Sequence, residues 1–104
     1  MPVDIAVVGS CNVDLVVNVD SIPIVGQTVL GGDLKRIPGG KGANQAVAAS
    51  RLGKSVAMIG RIGDDENGKF LQANLEENDV STEFLFTTPE IPTGVALISV
   101  QNDG

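Results

Sequence analysis

Histidine, tryptophan and tyrosine are absent from this chain, and cysteine occurs once. Without histidine, the chain cannot supply a complete Ser-His-Asp or Cys-His catalytic site or a histidine-based zinc site. The single cysteine, Cys11, rules out a disulfide within the chain, so we expect a reducing compartment, the cytoplasm. We interpret Cys11 as a small buried apolar residue rather than a reactive thiol.

Positive charge and long apolar runs are also scarce. Lys and Arg number 7 against 13 Asp and Glu, which gives a net charge of −6. That balance argues against a nucleic-acid surface, because phosphate backbones require a basic stripe. No apolar run reaches the ~20 residues of a membrane-spanning helix, and we expect no secretory signal. A chain of 104 residues, 42% of them apolar, suits one domain at most, with small molecules or proteins as partners.

Glycine, by contrast, is concentrated in the stretch Pro38-Gly39-Gly40-Lys41-Gly42-Ala43-Asn44-Gln45-Ala46, which leads into an alanine-rich helix. Glycines allow a close approach to the backbone, and the first N–H groups of a helix attract electronegative groups. Lys41 adds a cation, and Asn44 adds a hydrogen-bond donor and acceptor. We therefore expect a polar, oxygen-rich ligand here, although a glycine-rich turn before a helix is often a plain connection.

Two nucleotide-binding motifs are excluded by the residues that stand at their required positions. A phosphate loop of the GxxxxGK[ST] type requires Ser or Thr after the lysine, where this chain has Gly42. A dinucleotide fingerprint requires two further glycines after Gly9, and the residues that follow it are Ser10, Cys11 and Asn12.

A second candidate pair follows the first apolar strand. The run from Ile5 to Val8 predicts a strand covered on both faces in the middle of a parallel sheet. Strict alternation then begins, which places Asn12 and Asp14 on the same side of the next strand. An amide beside a carboxylate suits a sugar diol, because the carboxylate accepts hydrogen bonds from two hydroxyls. The alternative is a local turn with a solvated polar face.

The remaining pattern predicts an α/β fold with a small additional sheet. Further core elements are predicted as a helix at 43–52 ending at Gly53, a strand at 56–60, a helix at 64–78 with Asp64 as N-cap, and a strand at 83–87. Residues 12–37 and 93–101 are predicted to form the additional antiparallel sheet, with a tight hairpin at Gly31-Gly32 between strands 27–30 and 33–37. Inserted between a core strand and its helix, this sheet has the position of a lid.

Three segments carry a resemblance to a known family. Gly9-Ser10-Cys11-Asn12-Val13-Asp14, Gly39-Gly40-Lys41-Gly42-Ala43-Asn44-Gln45-Ala46 and Gly60-Arg61-Ile62-Gly63-Asp64-Asp65 resemble, in order and spacing, the phosphofructokinase-B-type carbohydrate kinases. The wording GGKGANQA resembles the ribokinase branch of that family. The resemblance implies the N-terminal part of a ribokinase-like, Rossmann-type αβα sandwich with an inserted small antiparallel β lid, residues 1–104 forming part of one kinase domain.

The resemblance also implies an activity and a site. The activity is transfer of phosphate from ATP to the 5-hydroxyl of D-ribose, with Mg²⁺ and a monovalent cation such as K⁺. We expect residues downstream of this chain to supply the catalytic base, the ATP site and the cation sites. The chain alone would therefore be inactive. We also expect a homodimer that forms through the lids. The implied sugar-binding residues are Asn12, Asp14, Gly40, Lys41, Gly42, Ala43 and Asn44.

Two alternatives stay open. The chain could act alone as a sugar-binding or dimerisation module without catalysis, or it could belong to a kinase of the same family that uses another sugar. A reading frame that continues past Gly104 into a GAGD-like segment would favour the enzyme over the module.

Overall fold

A parallel sheet with two helices and a separate mixed sheet make up the computed structural model, which describes residues 2–104. The elements, in chain order, are β1 (Ile5–Val8), β2 (Asn12–Val19), β3 (Lys35–Gly39), α1 (Lys41–Arg51), β4 (Val56–Gly63), α2 (Glu66–Glu77), β5 (Val80–Ser81), β6 (Leu85–Thr88) and β7 (Val95–Gln101). Neither helix in the described range is long and apolar enough to cross a membrane.

β4 is the centre of the first sheet. β1 pairs with it in parallel, Ile5 opposite Val56, and the βαβ connection through α1 is thus formed as predicted. On the other side of β4, β5 pairs with its beginning and β6 with its end, both in parallel. The α/β fold class is confirmed.

The core lies between this sheet and the helices. Met58 on β4 and Leu71 and Leu75 on α2 are almost completely buried. α1 packs through small side chains, Ala43 and Ala46, and Gly53 ends it with a φ of 94°. This agrees with the predicted close approach of an alanine-rich helix to a sheet.

The second sheet, which consists of β3, β2 and β7, has β2 in the middle. β3 pairs with β2 antiparallel, Gly39 opposite Asn12, whereas β7 pairs with β2 in parallel, Val95 opposite Val13. The expected antiparallel sheet is therefore mixed. The chain arrives at β7 from the core sheet rather than from an adjacent hairpin, so β7 can run in the direction of β2.

The hairpin predicted at Gly31-Gly32 is wrong. No strand forms over residues 27–30, and β3 begins only at Lys35. The Gly32 N–H donates to the Asn18 carbonyl at 2.9 Å, and a Cβ on Gly31 would strike the Val17 side chain. These two glycines lie against β2 instead of making a tight turn.

Three further expectations are corrected. β1 lies at the edge of its sheet rather than in the middle, and Val8 is 77% exposed, because no strand among residues 2–104 pairs with the other side of β1. The N-cap of α2 is Asp65 rather than Asp64, because Asp65 accepts a hydrogen bond from the Gly68 N–H at 2.8 Å. β4 also continues to Gly63, beyond the predicted end at residue 60.

Candidate sugar-binding site

Asn12 and Asp14 lie together at the start of β2, directly after the turn that follows β1. The Asn12 Nδ2 group donates to Asp14 Oδ1 at 2.8 Å, and both residues are half-buried. The predicted common side is thus confirmed by a direct contact. The pair follows the carboxyl end of a parallel strand, which is where open α/β sheets bind ligands.

Gly39 lies directly against the Asp14 carboxylate. It pairs with Asn12 across the two strands, and a Cβ placed on it would lie 2.6 Å from Asp14 Oδ1 and 2.7 Å from Asp14 Oδ2. Any side chain at this position would therefore push the carboxylate away. The first glycine of the run provides space for Asp14 rather than for a ligand directly.

The next glycines bring α1 onto the turn after β1. Gly40 has a φ of 100°, and a Cβ there would lie 2.5 Å from the Ser10 carbonyl oxygen. A Cβ on Gly42 would lie 2.8 Å from the Cα of Gly9, so at this point backbone touches backbone. The chain itself fills much of the space that the glycines open, which the sequence pattern did not show.

Some residues in the first turn of α1 are buried in the protein, and others are exposed to solvent. The Ala43 N–H donates to the Ser10 carbonyl at 3.0 Å, and its methyl group lies in the apolar core. Lys41 and Asn44 are exposed. Within residues 2–104 no hydrogen bond joins either side chain to the Asn12–Asp14 pair. Asn44 lines an open groove of about 370 Å³ together with Pro38 and Arg51.

Sequence reasoning missed a buried polar cluster beside this site. The Thr93 hydroxyl donates to Asp65 Oδ1 at 2.6 Å and accepts from the Gly63 N–H at 2.8 Å, while the Thr93 N–H donates to Asp65 Oδ2 at 2.9 Å. Thr93 is 4% exposed. The hydrogen bonds from Thr93, together with that from the Gly68 N–H, lower the pKa of Asp65.

The cluster fastens β7 to the core. The Gly94 carbonyl, one residue beyond Thr93, accepts from the Val13 N–H at 2.9 Å, next to Asn12 and Asp14. The sequence signals were Thr93-Gly94 directly before an apolar strand and the segment Gly60-Arg61-Ile62-Gly63-Asp64-Asp65, which contains the other two members of the cluster.

Metal-ligand groups are not clustered in this part of the protein. No three Cys, Asp or Glu side chains in the described range are arranged to hold a metal ion. Cys11 is buried, and burial raises the pKa of its thiol.

The residues of the site lie inside a segment that matches a known family. The family described as pfkB family carbohydrate kinase matches residues 3–104. The chain belongs to the pfkB family. Ribokinase from Bacillus subtilis is 48% identical over 91% of this chain and 32% of its own length. Deoxyribokinase from Salmonella typhi is 41% identical over 93% of this chain and 32% of its own length.

A solved structure extends the likeness to the backbone. Ribokinase from Arabidopsis thaliana, in a complex with ribose and ATP, matches with a TM-score of 0.89 and 33% identity over 100% of this chain. The match covers 34% of that protein. The pfkB family fold is thus present, and this chain spans about a third of the length of the relatives that it matches.

Proposed function

We propose that residues 1–104 are the N-terminal, sugar-holding part of a ribokinase that transfers the γ-phosphate of ATP to the 5-hydroxyl of D-ribose. The observation that supports this most directly is the Asn12–Asp14 hydrogen bond beside Gly39. This hydrogen bond limits the motion of a carboxylate near the carboxyl end of β1, the end of an open α/β sheet at which ligands bind. The similarity to ribokinases supports the choice of sugar.

The chemistry of the pair fits a furanose or pyranose ring. In this proposal the Asp14 carboxylate accepts hydrogen bonds from two neighbouring hydroxyls, while Asn12 orients it through the bond already formed. Charge-assisted bonds of this kind are stronger than those between neutral groups. A sugar without one of these hydroxyls would leave part of the carboxylate unpaired.

We further propose that residues at the N-terminal end of α1 bind the same sugar. Lys41 and Asn44 are exposed and can turn toward a ligand. The backbone of Gly40 lies beside them, against Ser10. Gly42 and Ala43 form the base of the proposed sugar site, because both pack on the turn after β1. Mg²⁺, K⁺ and ATP are proposed to bind mainly through residues downstream of this chain, as the similarity to ribokinases of about three times its length implies.

The second sheet is the proposed lid, and two lids are the proposed dimer contact. β7 exposes Leu97, which is 83% exposed, and Val95, two residues earlier on the same face, is partly exposed. An apolar face of this kind on a lid suits a second copy, which would cover it in a homodimer. We place the complete protein in the cytoplasm, since its single cysteine in this part is an unpaired thiol.

Replacing Asp14 in the full-length protein tests the site. We expect Asp14→Ala to raise the ribose KM by about 5- to 150-fold, because unpaired sugar hydroxyls cost about 1–3 kcal/mol. Asp33→Ala, which removes an exposed carboxylate from the segment between β2 and β3, is the matched control and should leave the KM unchanged. If the ribose KM were the same in both variants, the Asn12–Asp14 pair would have only a structural role.

A 2-deoxyribose kinase is the second candidate. The Salmonella typhi deoxyribokinase is 41% identical to this chain, within the range of the ribokinases. The two sugars differ by one hydroxyl, so kcat/KM for ribose and for 2-deoxyribose, measured on the same protein, decides between them. A preference for 2-deoxyribose would select the second candidate.

A further inference from the structure

An arginine on β3 contacts the core helix α2. The guanidinium carbon of Arg36 lies 4.6 Å from the centre of the Phe70 ring, and its Nη2 group donates to Asn67 Oδ1. Arg36 belongs to the second sheet, whereas Asn67 and Phe70 belong to the first turns of α2. One side chain thus bridges the sheet that carries Asp14 and the core.

The strand register explains why Arg36 points toward α2. Arg36 pairs with Leu15, so both side chains leave the same face of the second sheet. Leu15 packs against the core cluster, as Phe70 does. On β2 and β3 this face of the second sheet therefore contacts α2, and Arg36 carries the contact onto β3, whereas Leu97, which pairs with Leu15 on β7, is exposed.

The second sheet has another attachment to α2, at its opposite strand. Thr93, two residues before β7, is held by the α2 N-cap Asp65 through two hydrogen bonds and is 4% exposed. Arg36, by contrast, is exposed. The buried attachment is suited to a fixed connection, and the exposed one can open and close without disrupting the core.

Asp14 lies on β2 between the two attached strands. It is paired with Ile37, the neighbour of Arg36, on one side and with Ala96 on the other. Gly39, three residues beyond Arg36 on the same strand, forms the wall of its carboxylate. A shift of β3 away from α2 would therefore move both Asp14 and its wall.

We propose that Arg36 is a positioning residue: by holding β3 on Asn67 and Phe70 it fixes the second sheet, and with it Asp14, relative to α1. Its effect on sugar binding rests on the proposed function, whereas its effect on the second sheet does not. Arg36 itself need not contact the sugar.

The chain offers a matched control for this contact. Arg61 on β4 makes the same kind of contact, with its guanidinium carbon 5.5 Å from the Phe86 ring centre and its Nη1 group donating to Thr88 Oγ1 at 3.2 Å. All three residues lie in the core sheet, so this contact joins β4 to β6 and includes no residue of the second sheet. Arg61→Met and Arg36→Met each keep an apolar stem and remove one guanidinium.

Amide hydrogen exchange on the full-length protein without sugar tests the effect on the second sheet. For Arg36→Met we expect exchange about 5- to 70-fold faster over residues 12–19 and 35–39, the range given by loss of one exposed cation–π contact and one hydrogen bond. For Arg61→Met we expect no change in these peptides. Equal exchange in the two variants would overturn the proposal.

Ribose kinetics test the effect on binding. We expect Arg36→Met to raise the ribose KM by at most the same factor, about 5- to 70-fold, and to leave the KM for ATP unchanged. Asn67→Ala removes only the hydrogen bond and leaves the Phe70 contact, so it should raise the ribose KM by a smaller factor, about 2- to 13-fold at most. Asn67→Asp, which keeps an oxygen acceptor for Arg36, should retain the original KM. An Asn67→Asp variant as impaired as Asn67→Ala would contradict the proposal. If the unsubstituted protein does not phosphorylate ribose, the proposed function fails, and hydrogen exchange still decides the role of Arg36.

Discussion

Gly39→Ala should separate the sugar-binding role of Asp14 from a purely structural one. The added Cβ would lie 2.6 Å from Asp14 Oδ1, whereas an ordinary contact begins at 3.4 Å. The carboxylate must therefore retreat by about 0.8 Å, the difference between these two distances. The backbone of Gly39 has no left-handed φ, so the alanine adds no backbone strain.

The magnitude follows from the hydrogen bonds of Asp14 that this movement weakens: the proposed bonds to the sugar set the loss of affinity, and the bond from Asn12 sets the loss of stability. Asp14 accepts one hydrogen bond, from Asn12 at 2.8 Å, and a bond to a charged group contributes about 1.5–3 kcal/mol. Because Asp14 is half-buried, we expect about 1–2 kcal/mol, which corresponds to a 5- to 30-fold weaker ribose affinity. Alanine in a strand is itself more favourable than glycine by about 0.5–1 kcal/mol, which offsets part of the cost to stability.

Titration calorimetry with ribose and urea unfolding, both on the full-length protein, measure the two effects separately. We expect the affinity to fall about 5- to 30-fold, while the free energy of unfolding falls by about 0–1.5 kcal/mol, the loss of the bond from Asn12 less the gain from alanine. Gly32→Ala is the control, because its Cβ would lie no closer than 3.9 Å to any atom and it has no left-handed φ. Unchanged ribose affinity in Gly39→Ala would refute the role given to the Asp14 carboxylate.

Two further predictions concern titratable groups. The folded protein lowers the pKa of Asp65, so its stabilising contribution should be complete above the ordinary value of about 3.9 and lost as the pH falls through the lower folded value. Urea unfolding from pH 6 to pH 2 should therefore show a difference between the original protein and Asp65→Asn that is constant above about pH 4.5 and shrinks below it; a constant difference would contradict the assignment. Burial raises the pKa of Cys11, so a thiol reagent at pH 8 should label its peptide much more slowly in native protein than in urea, and equal rates would show that the thiol is accessible.

Local patterns in the sequence were sufficient for much of the fold. The alanine-rich run predicted α1 and its small-residue contact, and Gly53 marked its end, because periodicity and glycine conformation act over a few residues. The alternation after Gly9 placed Asn12 and Asp14 on one side, and the hydrogen bond between them follows from that register.

Other local patterns gave wrong answers where tertiary contacts competed with them. Gly31-Gly32 has the composition of a tight turn, yet its backbone hydrogen-bonds to β2. Asp64 and Asp65 are equally suited to cap a helix, and the contact with Thr93, 28 residues away, accompanies the use of Asp65. No spacing rule within a few residues contains that information.

By itself, then, the sequence determined the core helices and strands to within a few residues and the pair of side chains that begins the site, because both depend on neighbours along the chain. The three-dimensional structure alone decided what the glycines accommodate: Gly39 the carboxylate of Asp14, and Gly42 the backbone of Gly9. It also decided how the second sheet is attached to α2, through Thr93 and Arg36. These contacts join residues far apart in the chain, and only the packing of the elements brings them within bonding distance.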